Sequence, residues 1–276
     1  MENGTQVREF ILLSLTNDRR QQHVLFLVFL LLYMACLLGN GVIMAIVIAE
    51  PGLHTPMYFF LSNLSCLDIC LCTVTVPNLL SNFIMQHKSI SFIGCLTQLQ
   101  FFQFLGSSEA ILLGVMAYDR YIAICNPMRY SVIMSVRVCL SLAVSTWTTG
   151  FFHALMHTIM TSRLWFCGPN IVLHFFCDIK PLLKLSCSST ALNLTLRKAF
   201  STCVSHLTVV TLYQFPAMLN YMLASAGDSS EREMVISMLY TVVTPVLNPL
   251  IYTLRNKEVK LSLRKMVSRK LLFRSI

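Results

Sequence analysis

Several stretches of this chain run for more than twenty residues without a charged side chain, and they constrain its fold more than any other feature. Val24 to Ala49 covers 26 residues, Val138 to Met160 covers 23 and Met234 to Leu254 covers 21. At a helical rise of about 1.5 Å per residue, each crosses the roughly 30 Å hydrocarbon layer of a bilayer. Three further apolar stretches carry isolated polar groups: 57–85 with Asp68, 92–124 with Glu109, Asp119 and Arg120, and 199–226 with His206. The pattern predicts transmembrane helices at 24–49, 57–85, 92–124, 138–160, 199–226 and 234–254. A chain that is 55% hydrophobic and 12% charged, with mean hydropathy +0.67, has more apolar surface than one soluble core hides. The expected class is an all-α polytopic membrane protein, a single bundle over 1–276 with loops and no soluble domain. Met1 to His23 lacks a short basic-then-apolar start, so the first span is expected to act as its own insertion signal.

Charge orients the bundle. The segment 255–276 holds eight cations (Arg255, Lys257, Lys260, Arg264, Lys265, Arg269, Lys270 and Arg274) against one acid, Glu258, a net +7 of the chain's +9. Such a cluster belongs on the cytoplasmic side, facing anionic lipid. Val259, Leu263, Met266, Val267 and Leu271 recur there at helical spacing, as in a short amphipathic helix lying on the inner leaflet; the bland alternative is a disordered basic tail. Because the positive charge is tied to a span, it is a topology signal, and no nucleic-acid partner is expected. The leader 1–23 is then extracellular, and Asn3-Gly4-Thr5 within it is a glycosylation acceptor. Asn63-Leu64-Ser65 has the same form but lies inside a span, out of reach of the transferase.

Of eleven cysteines, Cys95, Cys167, Cys177 and Cys187 stand where lumenal loops are expected, in an oxidising compartment; four cysteines allow three pairings. The others read as small apolar fillers in the spans. No tight Cys or His ligand spacing calls for a metal.

The block M-A-Y-D-R-Y-I-A-I-C from Met116 to Cys125 ends one apolar stretch, and P-V-L-N-P-L-I-Y from Pro245 to Tyr252 lies within the last. K-A-F-S-T-C-V-S-H-L-T-V-V-T-L runs from Lys198 to Leu212, and the loop segment from Trp165 to Cys187 reads W-F-C-G-P-N-I-V-L-H-F-F-C-D-I-K-P-L-L-K-L-S-C. Together these resemble the odorant-receptor branch of the rhodopsin-like G-protein-coupled receptors, over nearly everything from Glu9 to Lys260. The resemblance implies a seven-helix bundle in the plasma membrane, a small volatile odorant as ligand and a heterotrimeric stimulatory G protein as partner, with membrane lipid around it and a receptor oligomer as a further partner. It implies disulfides Cys95–Cys177 and Cys167–Cys187.

The resemblance also gives roles to polar groups that are costly in a membrane. Asp119-Arg120-Tyr121 closes the third span; the guanidinium pairs with the adjacent carboxylate while reaching toward water, and is released to the G protein on opening. Asn248, Pro249 and Tyr252 form a switch in the last span. Pro249 has no amide proton, and Asn248 or water serves the carbonyls its kink exposes. Asn40, Asp68, Glu109 and Asn248 line a polar pocket that shares a proton or holds a cation such as Na+; the bland reading is a neutral cluster that sets packing. No other cofactor is implied. By alignment the ligand faces Phe102, Gln103, Gly106 and Ser107 on the third span and Tyr213, Gln214, Ala217 and Tyr221 on the sixth, an apolar pocket with a few polar handles. The family usually has F-Y-G around Tyr213, whereas this chain has Y-Q-F. Trp147 reads as a packing anchor.

One crossing is missing. The connection 161–198 contains Arg163, Asp178, Lys180, Lys184, Arg197 and Lys198, and beyond Lys184 its charge-free run is the 12 residues from Leu185 to Leu196. As a helix that run reaches only about 18 Å, and Ser186, Ser188, Ser189, Thr190, Asn193 and Thr195 make it polar. In the resembled family the whole fifth helix and third cytoplasmic loop stand between K-L-S-C-S and R-K-A-F-S-T-C; here the second extracellular loop joins the start of the sixth helix directly. The expectation is an odorant receptor with impaired signalling. The alternative is a truncated, non-signalling membrane protein that associates with intact receptors and retains them in the endoplasmic reticulum. Transport is disfavoured by the lack of an inverted repeat, and an enzyme by the lack of a nucleophile elbow, metal motif or phosphate loop.

Overall fold

The computed structural model describes residues 7–13, 16, 18–84, 89–166, 170–187 and 239–255. Asp18 starts the first helix, α1 (Arg19–Ala49), by accepting from the Arg20 amide at 3.0 Å. The helix begins before the apolar run because its polar first turn, with Arg19, Arg20, Gln21 and Gln22, extends beyond it. A 3₁₀ turn at Pro51–Leu53 leads to α2 (Pro56–Ile84), and Ser91 caps α3 (Phe92–Cys125) through the Gly94 amide. After a 3₁₀ turn at Pro127–Arg129 and one helical turn at Tyr130–Ile133 comes α4 (Val136–Ser162). These four long helices are apolar enough to cross a membrane. A short α5 (Ile179–Lys184), capped by Asp178, lies in the loop after α4. A π-helical turn at Leu239–Val243 then feeds α6 (Thr244–Arg255). The expected span at 199–226 and the amphipathic tail at 256–276 lie outside the described residues, as do Asn3 and the whole connector 188–238.

Strands were not expected, yet three short ones cover the outer end. β1 (Glu9–Leu12) lies between β2 (Ser89–Ser91), antiparallel with Phe10 opposite Ile90, and β3 (Ile171–Val172), parallel with Leu12 opposite Val172. The cause is a four-residue alternation, E-F-I-L, which buries Phe10 and Leu12 and leaves Glu9 and Ile11 outward. Phe10 packs edge-on against Phe166 at 5.3 Å and lies 6.1 Å from Phe92. With Cys95, Leu99, Val172, Cys177, Ile179 and Leu182 these residues form a small outer core.

The main core runs between α1, α2 and α3, and Phe175 and Phe176 of the loop after α4 insert into it. Trp147 packs on Phe104 and donates to the Asn63 side chain at 3.3 Å, tying α4 to both α3 and α2. Asn63 thus faces protein partners within α2.

Two contacts fix the direction of α6. Asp68 and Cys72 ascend α2 as their partners, Asn248 and Thr241, descend the last segment, so the two run antiparallel. The end of α6 therefore lies on the same side of the bundle as the α1–α2 and α3–α4 connections.

Candidate functional site

The centre of the bundle is polar. Asp68, fully buried on α2, accepts from the Asn248 amide nitrogen at 2.9 and 3.2 Å through its two oxygens. Asn40, fully buried on α1, donates to the Cys36 carbonyl at 3.1 Å and to the Pro245 carbonyl at 2.9 Å. Glu109 on α3 is buried and within electrostatic reach of Asp68. Of the four residues grouped by resemblance, Asp68 and Asn248 bond directly, Glu109 acts on Asp68 through charge, and Asn40 reaches the backbone of the helix that carries Asn248. Two amide oxygens, Asn40 Oδ1 and Asn248 Oδ1, are buried there with no hydrogen-bond partner among the described residues.

The prolines explain much of this geometry. A helical amide bonds the carbonyl four residues back, and proline has none to give. Pro245 thus leaves the Thr241 carbonyl without its α-helical donor, and the Cys72 thiol of α2 reaches that oxygen at 3.5 Å. Pro249 leaves the Pro245 carbonyl, and Asn40 of α1 takes it. This corrects the assignment of the freed carbonyl to Asn248 or water: Asn248 is turned to Asp68. A side chain at Gly39 would crowd the Pro249 ring, with a Cβ only 3.1 Å from it, so glycine permits the close approach of α1 and α6. Tyr252 lies one turn beyond Asn248 on α6.

At the end of α3 next to the α3–α4 connection the carboxylate of Asp119 is buried and accepts from the Tyr130 hydroxyl at 2.8 Å. Arg120 and Tyr121 are exposed. The helical turn after α3 supplies the phenol that hydrogen-bonds the acid, and the exposed Arg120 acts on Asp119 through its charge. Burial, then the bond to Asp119 and that residue's charge, push the Tyr130 phenol above its ordinary range.

At the outer end, Cys95 and Cys177 form a disulfide, Cα atoms 5.4 Å apart across 82 residues. Gln98 braces it, accepting from the Cys177 amide at 3.0 Å and donating to the Val74 carbonyl of α2 at 3.2 Å. Cys187 is disulfide-bonded as well, while Cys167 lies outside the described residues. Phe102 packs on Phe176 at 4.6 Å between ring centres, and Gln103 donates to Asp178 at 3.2 Å. Ser107 is buried and hydrogen-bonded to His153 of α4 at 2.9 Å, and Gly106 is half-buried beside it. Tyr213, Gln214, Ala217 and Tyr221 lie outside the described residues. Tyr130, Gln98 and His153 were missed in the sequence. The prolines at 245 and 249 signal two unserved carbonyls, but which side chains reach them is a tertiary fact.

A family model described as "Olfactory receptor" matches residues 29–196 and 190–270, two segments that meet at the connector. Human olfactory receptor 12D1 is 51% identical over 297 aligned positions, covering 94% of this chain and 93% of that protein. Human olfactory receptor 12D3 is 48% identical over 308 positions, covering 98% of each. Rat olfactory receptor 1468 is 43% identical over 305 positions, covering 98% of this chain and 97% of its own. These alignments are longer than the chain's 276 residues, so the relatives carry positions that it lacks. These relatives are receptors and not enzymes. The chain belongs to the olfactory receptor family, as a multi-pass membrane protein.

Proposed function

We propose that this chain binds a small volatile between the outer halves of its helices and is built to pass that event to a stimulatory G protein at its cytoplasmic face, with signalling weakened by a missing crossing. The observation that carries this reading is the Asn40–Asp68–Asn248 junction, where three helices meet around two prolines. A break in backbone bonding that depends on a neighbouring helix is a place where a bundle can repack. The exposed Arg120, beside an acid already satisfied by Tyr130, supports a role in docking the G protein, with Tyr121 next to it and Tyr252 on the switch helix.

The donor set also suits a cation. Asp68 and Glu109 supply carboxylates, and the unserved amide oxygens of Asn40 and Asn248 supply neutral ligands, a hard-oxygen set appropriate to Na+. A bound cation would offset the repulsion between two buried acids and hold α1, α2, α3 and α6 in one arrangement. Phe102, Gln103, Gly106 and Ser107 are proposed for one wall of the ligand site, and Tyr213, Gln214, Ala217 and Tyr221 for the opposite wall.

The absent segment corresponds to the fifth helix and third cytoplasmic loop, which supports the expectation of impaired coupling. The last helix runs antiparallel to α2, and α4 ends at the outer face. The end of α4 and the start of the last segment therefore lie on one side of the bundle, which the single crossing expected at 199–226 does not by itself reconcile. The test is odorant-evoked cAMP in cells expressing the chain alone or a chimera with the corresponding segment of human olfactory receptor 12D1 inserted after Leu192. Across alcohols, aldehydes, esters and acids, the chain alone is expected to give no response above empty cells, and the chimera to respond. A full response from the chain alone overturns the impairment, and silence from a surface-expressed chimera overturns the receptor reading.

A further inference from the structure

Between α3 and α4 runs a buried polar seam that the activation switches do not use. At its inner end the helices touch: any side chain at Gly150 would collide with Ser108 Oγ and the Phe104 carbonyl. One turn outward, Ser107 bonds His153, whose ring meets His157 edge-on at 4.7 Å. Gln100 stands one turn above Phe104, whose ring packs on Trp147 and Phe151 of α4, so Gln100 shares that face. Thr158 is the residue after His157. The side-chain oxygens of Ser108 and Thr158, and both polar atoms of Gln100, are buried with no hydrogen-bond partner among the described residues. Ser108 is fully buried.

An orphaned polar group in a protein interior costs about 1–3 kcal/mol, and polar side chains inside a membrane bundle mark function by default. Several together on one seam need a common occupant. Gln100, Ser107, Ser108, His153, His157 and Thr158 include no carboxylate, ammonium or guanidinium, so the seam is not built for a formal charge. Hydroxyl and amide groups offer both donors and acceptors, and the ligand group that meets both is an alcohol. Of the handles proposed from alignment, Gln103 is held by Asp178 and Ser107 by His153, so the orphaned groups of Ser108, Gln100 and Thr158 are left to read the ligand's polar end.

We propose that the α3–α4 seam is the polar end of the ligand site and selects an uncharged volatile bearing a hydroxyl over a hydrocarbon of the same shape. This rests on the odorant-binding reading and names its ligand class. A site built around an absent hydrogen-bond partner penalises the analogue that lacks it far more than an apolar pocket penalises a missing methylene.

The test uses the full chain in lipid nanodiscs with 1-octanol and n-octane as probes, read as the shift in thermal unfolding midpoint. The Gln100→Leu/His153→Phe double variant serves as reference, cancelling partition of the probes into lipid. 1-Octanol is expected to raise the midpoint of the unsubstituted chain, with an apparent affinity about tenfold above that for n-octane and lost in the double variant. If the double variant does not fold, Ser108→Ala, which removes one orphaned hydroxyl, carries the same comparison. Equal shifts with both probes, or an octanol preference that survives substitution, overturn the seam but leave odorant binding intact. Failure of octanol, octane and a panel of aldehydes and esters to shift the midpoint overturns both.

Discussion

The side-chain amide of Asn40 donates to the Pro245 carbonyl at 2.9 Å, the oxygen that Pro249, four residues further on, has no amide to serve. One residue of α1 thus completes the backbone of α6. The last helix can hold a proline in mid-membrane because α1 supplies the missing donor, and Gly39 lets the helices come close enough for it to do so.

Asn40→Ala is expected to destabilise the bundle by roughly 1–3 kcal/mol, the cost of leaving a buried carbonyl unpaired. Pro249→Ala restores an amide at 249, so the double variant should recover part of that loss. Thermal unfolding of the four proteins in detergent measures the coupling. Simple additivity would show that Asn40 does not serve the proline gap.

Sodium should stabilise the unsubstituted chain more than choline does at equal ionic strength, by binding the folded state. Asp68→Asn should abolish the difference, because it removes the charge that a cation meets. A midpoint that rises equally with both salts, or a sodium effect retained in Asp68→Asn, would dismiss the cation and leave a neutral packing cluster.

Tyr130→Phe removes the donor to Asp119 and should cost roughly 1–3 kcal/mol at neutral pH. The phenol's raised pKa sets the sign of the pH dependence. Its stabilisation is complete below the ordinary tyrosine value of about 10 and is lost as pH rises through the folded value. The unsubstituted chain should therefore lose stability above about pH 10 more steeply than Tyr130→Phe. Parallel curves would contradict the hydrogen bond.

Phe10 is almost wholly buried in the outer core, and Phe10→Ala is expected to cost about 3–5 kcal/mol locally. The readout is proteolysis of the leader at Arg8 on intact cells, which should accelerate. Unchanged cleavage would mean that the strand does not anchor the leader.

The long helices were legible because lipid demands continuous apolar runs, and Val24 to Ala49 admits few other readings. The Cys95–Cys177 bond came from resemblance, since the cysteines alone left three pairings open. Phe10 and Leu12 were not read as strand because a four-residue alternation is too short to stand out without its partners at Ile90 and Val172. Sequence adjacency points Asp119 to Arg120 but gives no sign of its Tyr130 donor, because the turn that delivers the phenol depends on Pro127 and the packing of α4. The His153–Ser107 bond joins residues 46 apart on two helices, a relationship that no periodicity encodes.

Glycosylation mapping of residues 256–276 tests the central claim most directly. With an acceptor sequon placed after Arg269 and a second in the 161–187 loop, the account predicts a glycan on the loop and none on the tail, because α6 packs antiparallel to α2 and ends on the cytoplasmic side. A glycosylated tail would mean that the last helix inserts inverted, and the Asn40–Asp68–Asn248 junction could not form.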